Sequence, residues 1–206
     1  MAAAPLSNGL IVPYITLAHR GRTRPIWRHV DPVRFHAALW RRLCQICGQD
    51  LDERVALYIR PIDYLRGVAP EPGLHLECGR YVKQACPMLS GNTDRYNPTY
   101  KTHYALCTDD RCNCKAWAPH IRDPRESTRE NAPAEAWYEA VIDRADYRVV
   151  EDPGNDTLPP VTGINLRDVH LLRVRRIRTA APTNNEPGPV DPLALLIASR
   201  ELFKSW

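Results

Sequence analysis

The sequence predicts an α+β fold, and three observations carry that expectation. Two cysteine/histidine pairs, Cys44-x2-Cys47 and His75-x2-Cys78, stand either side of residues 48–74. Asp31-Pro32 joins an N-cap carboxylate to a proline at the first helical position, and Asp191-Pro192 repeats the device. β-Type runs occur at Val55-Ala56-Leu57-Tyr58-Ile59 and from Val169 to Ile177.

The elements follow in chain order. Residues 1–30 read as an irregular or short-stranded arm, apolar from Leu10 to Leu17 and basic from Arg20 to Arg28. A helix starts at Pro32 and runs to about Leu43, with Val33, Ala37, Trp40 and Leu43 as its expected apolar face. The β-type run from Val55 ends at Pro61. A loop with Gly67, Pro70, Pro72 and Gly73 comes next. Residues 74–86 read as a helix that Pro87 stops. Residues 31–90 thus form one expected unit, and 91–135 a loop-rich region with the remaining cysteines. Residues 136–178 form a small β-rich unit, whose first half is two strands or a helix and a strand. Pro182, Asn184, Asn185, Pro187, Gly188 and Pro189 mark a linker over 179–190. A tail helix is expected over 191–206, with Leu195, Leu196, Leu202, Phe203 and Trp206 near one face.

Composition narrows the class. The 206 residues are 44% hydrophobic and 25% charged, as in an ordinary globular protein, but 19 prolines keep the elements short. No run of apolar residues reaches a membrane span, and the first residues lack a basic n-region. A cytoplasmic setting is therefore expected, and there seven cysteines point to metal ligation before disulfides.

The two pairs match what tetrahedral Zn2+ takes, thiolate and imidazole in fours. Two cysteines separated by two residues, with Gly48 behind them, let a tight turn aim both sulfurs at one ion. His75 and Cys78 are three apart, so they share one face of a first helical turn. With a β-hairpin in the intervening chain, the result would be a treble-clef-like finger stapled by zinc at Cys44, Cys47, His75 and Cys78. Cys86 lies eight residues beyond Cys78, roughly 12 Å along a helix, and is expected to pack in the core. A Cys78/Cys86 pair with His75 outside the ligand set is the alternative. A second cluster, Cys107-x4-Cys112-x-Cys114, has His103 and His120 as candidate fourth ligands. A second metal and exposed loop thiols are both open there.

The string Arg42-Leu43-Cys44-Gln45-Ile46-Cys47-Gly48, then His75-Leu76-Glu77-Cys78 and Ala85-Cys86-Pro87-Met88-Leu89, resembles uncharacterised zinc-finger-like proteins of actinobacteria and their phages. Val30-Asp31-Pro32-Val33-Arg34 and Asp146-Tyr147-Arg148-Val149-Val150 are similar to the same group, so the resemblance spans residues 27–178. It implies a metal site and a mobile-element setting, and no activity.

Enzymatic constellations are incomplete. His75-x-Glu77 is the start of a zinc deaminase motif, but the required Pro-Cys-x-x-Cys downstream is absent. A His-Asn-His nuclease needs a histidine between knuckle and helix, and residues 48–74 contain none. Asp94, Asn97 and His103 are a scattered echo of a hydrolytic metal site. There is no glycine-rich phosphate loop. A non-catalytic accessory protein is expected, with a metal-dependent nuclease-like enzyme behind it.

Two partner classes remain. Of 28 basic residues 24 are arginine, and residues 1–50 carry a surplus of positive charge. Arg20, Arg22, Arg24, Arg28, Arg41 and Arg42, with Arg173, Arg175, Arg176 and Arg178, are candidates for weak, non-specific nucleic-acid contact. The tail helix is the candidate for a protein partner, self-association or docking on its own domain.

Overall fold

The computed structural model describes residues 4–96, 106–117, 131–156, 158–181, 193 and 195–197. It is a mixed α+β architecture of small sheets and short helices. The arm is made of two tight hairpins: β1 (Leu6–Ser7) with β2 (Leu10–Ile11), and β3 (Thr16–Ala18) with β4 (Pro25–Val30). Its apolar part is anchored, since Val12 is fully buried and Tyr14 and Ile15 donate their N–H groups to Ile46 and Gln45 carbonyls.

Helix α1 (Pro32–Trp40) starts where expected, with the Asp31 carboxylate accepting from the N–H groups of Val33 and Arg34. Its buried face is not the expected one. Ala38 and Leu39 are buried and Phe35 packs on the core, whereas Val33 and Trp40 are exposed. The helix ends before Leu43 can join its face, because Arg42 turns left-handed at φ 56°.

The main sheet has the order β10-β7-β5, antiparallel throughout, from β5 (Arg54–Ile59), β7 (Trp137–Asp143) and β10 (Arg173–Arg178). Residues 31–90 and 136–178, expected as two units, therefore share one sheet. Their register runs from Arg54 opposite Asp143 to Ile59 opposite Tyr138. Central β7 is buried along its length up to Asp143. It buries even Glu139, whose carboxylate takes Lys83 and Arg173, each at 2.7 Å. That charge masks the strand's apolar character in the sequence.

The chain between the ligand pairs is not a hairpin. β5 runs into α2 (Pro61–Arg66) and β6 (Val68–Ala69), and β6 belongs to a second sheet of order β6-β9-β8. β8 (Val149–Asp152) and β9 (Val161–Asn165) complete it. Gly163 is required in β9, because a Cβ there would lie 2.1 Å from the Ala69 carbonyl oxygen. The chain returns to β5 only at Leu74, which exchanges both backbone hydrogen bonds with Ala56. That contact delivers His75 to the N-cap of α3 (Leu76–Ala85). Pro87 ends α3 as expected and opens α4 (Pro87–Ser90).

Of the linker and tail, 182–192 and most of 194–206 lie outside the described residues, Leu202, Phe203 and Trp206 included. Leu193 is fully buried in the core, with Leu196 and Ile197 packed against it, while Leu195 is exposed. The described part of the tail thus docks on its own chain. Among the described residues no helix is long and apolar enough to cross a membrane.

Candidate metal centres

The first centre forms where a turn, a sheet edge and a helix start converge. The knuckle closes through Gly48 N–H to the Cys44 carbonyl and Cys44 N–H to the Gln49 carbonyl, both 2.8 Å. Gly48 holds φ at 74°, and a Cβ there would strike the Tyr14 ring at 2.6 Å. The arm thus lies directly on the knuckle. Gln45 fastens the turn to the next segment, its N–H reaching the Gly73 carbonyl and its side-chain amide the Pro72 carbonyl. With Gly73 fixed, His75 and Cys78 face the two knuckle sulfurs.

One ligand atom from each of Cys44, Cys47, His75 and Cys78 lies within 4.8 Å of the other three. His75 Nδ1 is 3.3 Å from Cys47 Sγ and 3.8 Å from Cys78 Sγ. A tetrahedral zinc ion needs edges of about 3.7 Å between sulfurs and about 3.5 Å between sulfur and nitrogen. The imidazole tautomer is also set. Nε2–H donates to the Asp50 carbonyl at 2.8 Å, which leaves the Nδ1 lone pair for the cluster. Cys44, Cys78 and His75 are buried and Cys47 half-buried.

The cluster divides its protons unequally. The Cys44 thiol is pulled down to about 5, chiefly because the Cys78 thiol donates to its sulfur. Burial opposes that shift, while the N–H groups of Cys47, His75 and Ile46 assist it. The same thiol–thiol bond pushes Cys78 up, and burial pushes Cys47 up. One thiolate beside two thiols is a set that a dication deprotonates as it binds, so metal uptake releases protons. Glu77, the deaminase-like glutamate, is exposed on the outer side of α3. Cys86 caps α3 and packs on the core, apart from the cluster.

A second tetrad holds Cys107, Cys112 and Cys114, and its fourth member is His19. His103 and His120, the expected fourth ligands, lie outside the described residues. His19 comes from the β3–β4 turn, where it donates its N–H to the Arg24 carbonyl and accepts from the Arg22 N–H. Its Nδ1 lies 3.6 Å from Cys112 Sγ, and Cys107 Sγ lies 3.6 Å from Cys114 Sγ. Trp117 leans on the His19 ring, with centroids 4.9 Å apart and planes tilted by 39°. Cys112 is lowered to about 6, first by the Arg20 N–H aimed at its sulfur and then by the His19 ring, against burial. Both tetrads suit a metal ion. No spacing rule ties residue 19 to residues 107–114; the only hint in the sequence is three cysteines short of a fourth ligand.

The candidate arginines are not one surface. Arg20 pairs with Asp109 at 2.7 Å beside the second tetrad. Arg22 is half-buried against Tyr14, donates to the Val12 and Pro13 carbonyls, and is lowered to about 10 by burial and then by Arg34. Arg173 is taken by Glu139. The Arg178 side chain is 7% exposed and donates to the Met88 and Thr93 carbonyls. These four make contacts within the fold, although Arg20 and Arg173 stay exposed while doing so; Arg24, Arg28, Arg41, Arg42, Arg175 and Arg176 are exposed as well. No family model, curated protein or solved structure matches this chain.

Proposed function

We propose that this protein is a non-catalytic accessory protein whose fold is stapled by zinc at Cys44, Cys47, His75 and Cys78. The carrying observation is the complete set of four protein ligands, mostly buried, with His75 oriented by the Asp50 carbonyl. Catalytic zinc keeps one position for water or substrate, and structural zinc fills all four with side chains. Thiolate and imidazole also favour zinc over the hard cations. The resemblance of the ligand strings to zinc-finger-like proteins of actinobacteria and their phages supports the same metal and adds a mobile-element setting. Elemental mass spectrometry of the purified protein tests the reading. Zinc is expected at this centre, with Cys47→Ser losing one equivalent; a variant that keeps its full metal content would refute it.

Nucleic acid is the partner class proposed. Its support is the exposed basic and aromatic character of the arm and α1: Arg24, Arg28, Arg41 and Arg42, with Trp27 and Trp40 also exposed. Such side chains bind phosphates and stack on bases without reading sequence. Binding to duplex DNA should weaken with salt at a logarithmic slope of about −0.9 per phosphate neutralised. Replacing those four arginines by alanine should flatten the slope by about 0.9 for each of them that sits on a phosphate. Absence of any retention on DNA or RNA at low salt would leave a protein surface, not nucleic acid, as the partner.

A further inference from the structure

We propose that His19, Cys107, Cys112 and Cys114 bind a second zinc ion, which clasps the basic turn of the N-terminal arm to the 106–117 segment. Geometry is the first support. The two edges at 3.6 Å fit a tetrahedron around zinc, whereas a disulfide would bring two sulfurs to about 2.05 Å. Three thiolates and one imidazole make a closed structural set.

The second support is what else holds this segment. Residues 106–117 contain a single turn of 3-10 helix, Asn113–Ala116, and no strand. Within those twelve residues the buried ones are Cys112 and Cys114. Apolar burial is how a segment ordinarily offsets its conformational entropy, and two cysteine side chains are far too little for a dozen residues. Leu106, its largest aliphatic residue, is 64% exposed. A four-coordinate ion is the kind of cross-link that small or core-poor segments use instead.

Charge is the third support. Three thiolates around a dication leave the centre with one net negative charge. Arg20 points its backbone N–H at Cys112 Sγ from 3.4 Å and its side-chain Nε–H at the Asp109 carboxylate from 2.7 Å. The basic run that begins at Arg20 thus has a partner inside the molecule. The chemistry is ligand exchange only: zinc displaces thiol protons to solvent, with no oxidant or reductant involved.

Native mass spectrometry of the full chain tests this, together with tryptic cleavage at Arg20, Arg22 and Arg28, the arginines of the turn that no proline follows. Wild type should carry two zinc ions, His19→Ala and Cys112→Ser one each. Both variants should keep the near-ultraviolet circular dichroism of the core while cleavage within 20–28 accelerates at least tenfold. Retention of two zinc ions by both variants would overturn the proposal. So would a wild-type chain lighter by two hydrogens with a Cys107–Cys114 disulfide. A wild type with one zinc separates the two centres. Loss of that ion in Cys47→Ser but not in Cys112→Ser overturns the clasp alone, and the reverse pattern supports the clasp and overturns the structural zinc at Cys44.

Discussion

Cys47→Ser is expected to lower the melting temperature by roughly 10–20 °C, at about 2–4 °C per kcal/mol for a chain of this size. Cys47 is the half-buried member of its centre, so an oxygen for a sulfur at that position disturbs little packing. What it removes is a ligand. Structural zinc in small peptides contributes apparent binding free energies of about 10–16 kcal/mol, against total stabilities of about 5–15 kcal/mol. The centre sits where the knuckle, the Leu74 bridge to β5 and α3 meet, so its loss reaches the core rather than a loop. Excess chelator should bring wild type down towards the variant's melting temperature and leave the variant nearly unchanged. A variant melting within 2 °C of wild type, as roughly 1 kcal/mol or less, would show that packing alone holds the knuckle.

Asp63→Ala should cost about 3–5 kcal/mol, because it strips a buried cation of its main partner. The Arg60 side chain is 5% exposed and meets Asp63 through two parallel contacts, at 2.9 and 2.7 Å. The same carboxylate accepts the Arg60 N–H at 2.9 Å, fixing the first turn of α2. Glu135 takes the third guanidinium contact at 2.7 Å, but its side chain is 36% exposed. Water can replace Glu135 at the guanidinium more readily than it can replace Asp63. Glu135→Ala should therefore cost clearly less, about 1 kcal/mol. Chemical denaturation of the two variants measures the difference. Equal losses would mean that Arg60 reaches solvent once either partner is gone.

The local rules in the sequence locate the parts and miss how they meet. Asp31-Pro32 starts α1, Cys44-x2-Cys47-Gly48 forms the knuckle, and His75 and Cys78 share the first turn of α3, because each depends on residues a few positions apart. Two short strands occupy 136–152, one of the two arrangements its pattern allows. The apolar face of α1 departs from its pattern, since an exposed Val33 or Trp40 looks the same in sequence as a buried one. Strand β9 escapes sequence reasoning, because Gly163 and Asn165 give the five residues Val161–Asn165 a weak β signature. The pairing of β5 with β7 and the arrival of His19 beside Cys112 join residues about eighty to ninety positions apart. Periodicity and motif spacing carry no information at that range.

The sheet order β10-β7-β5 bears on how a ribosome would deliver this chain. Every residue of β5 after Arg54 is buried in the finished protein, yet its partner β7 begins only at Trp137. At roughly 5–20 residues per second, β5 waits for several seconds as an apolar strand with an unsatisfied edge, the form in which chains stick to one another. Cys44, Cys47, His75 and Cys78 have all emerged by then, and Leu74 is available to occupy one edge of β5 at Ala56. Early metal capture would fold the knuckle and α3 over the nascent strand before its neighbour exists. In metal-starved cells the cost would then fall first on newborn chains, which aggregate, while molecules already complete keep their sheet for as long as they keep the ion.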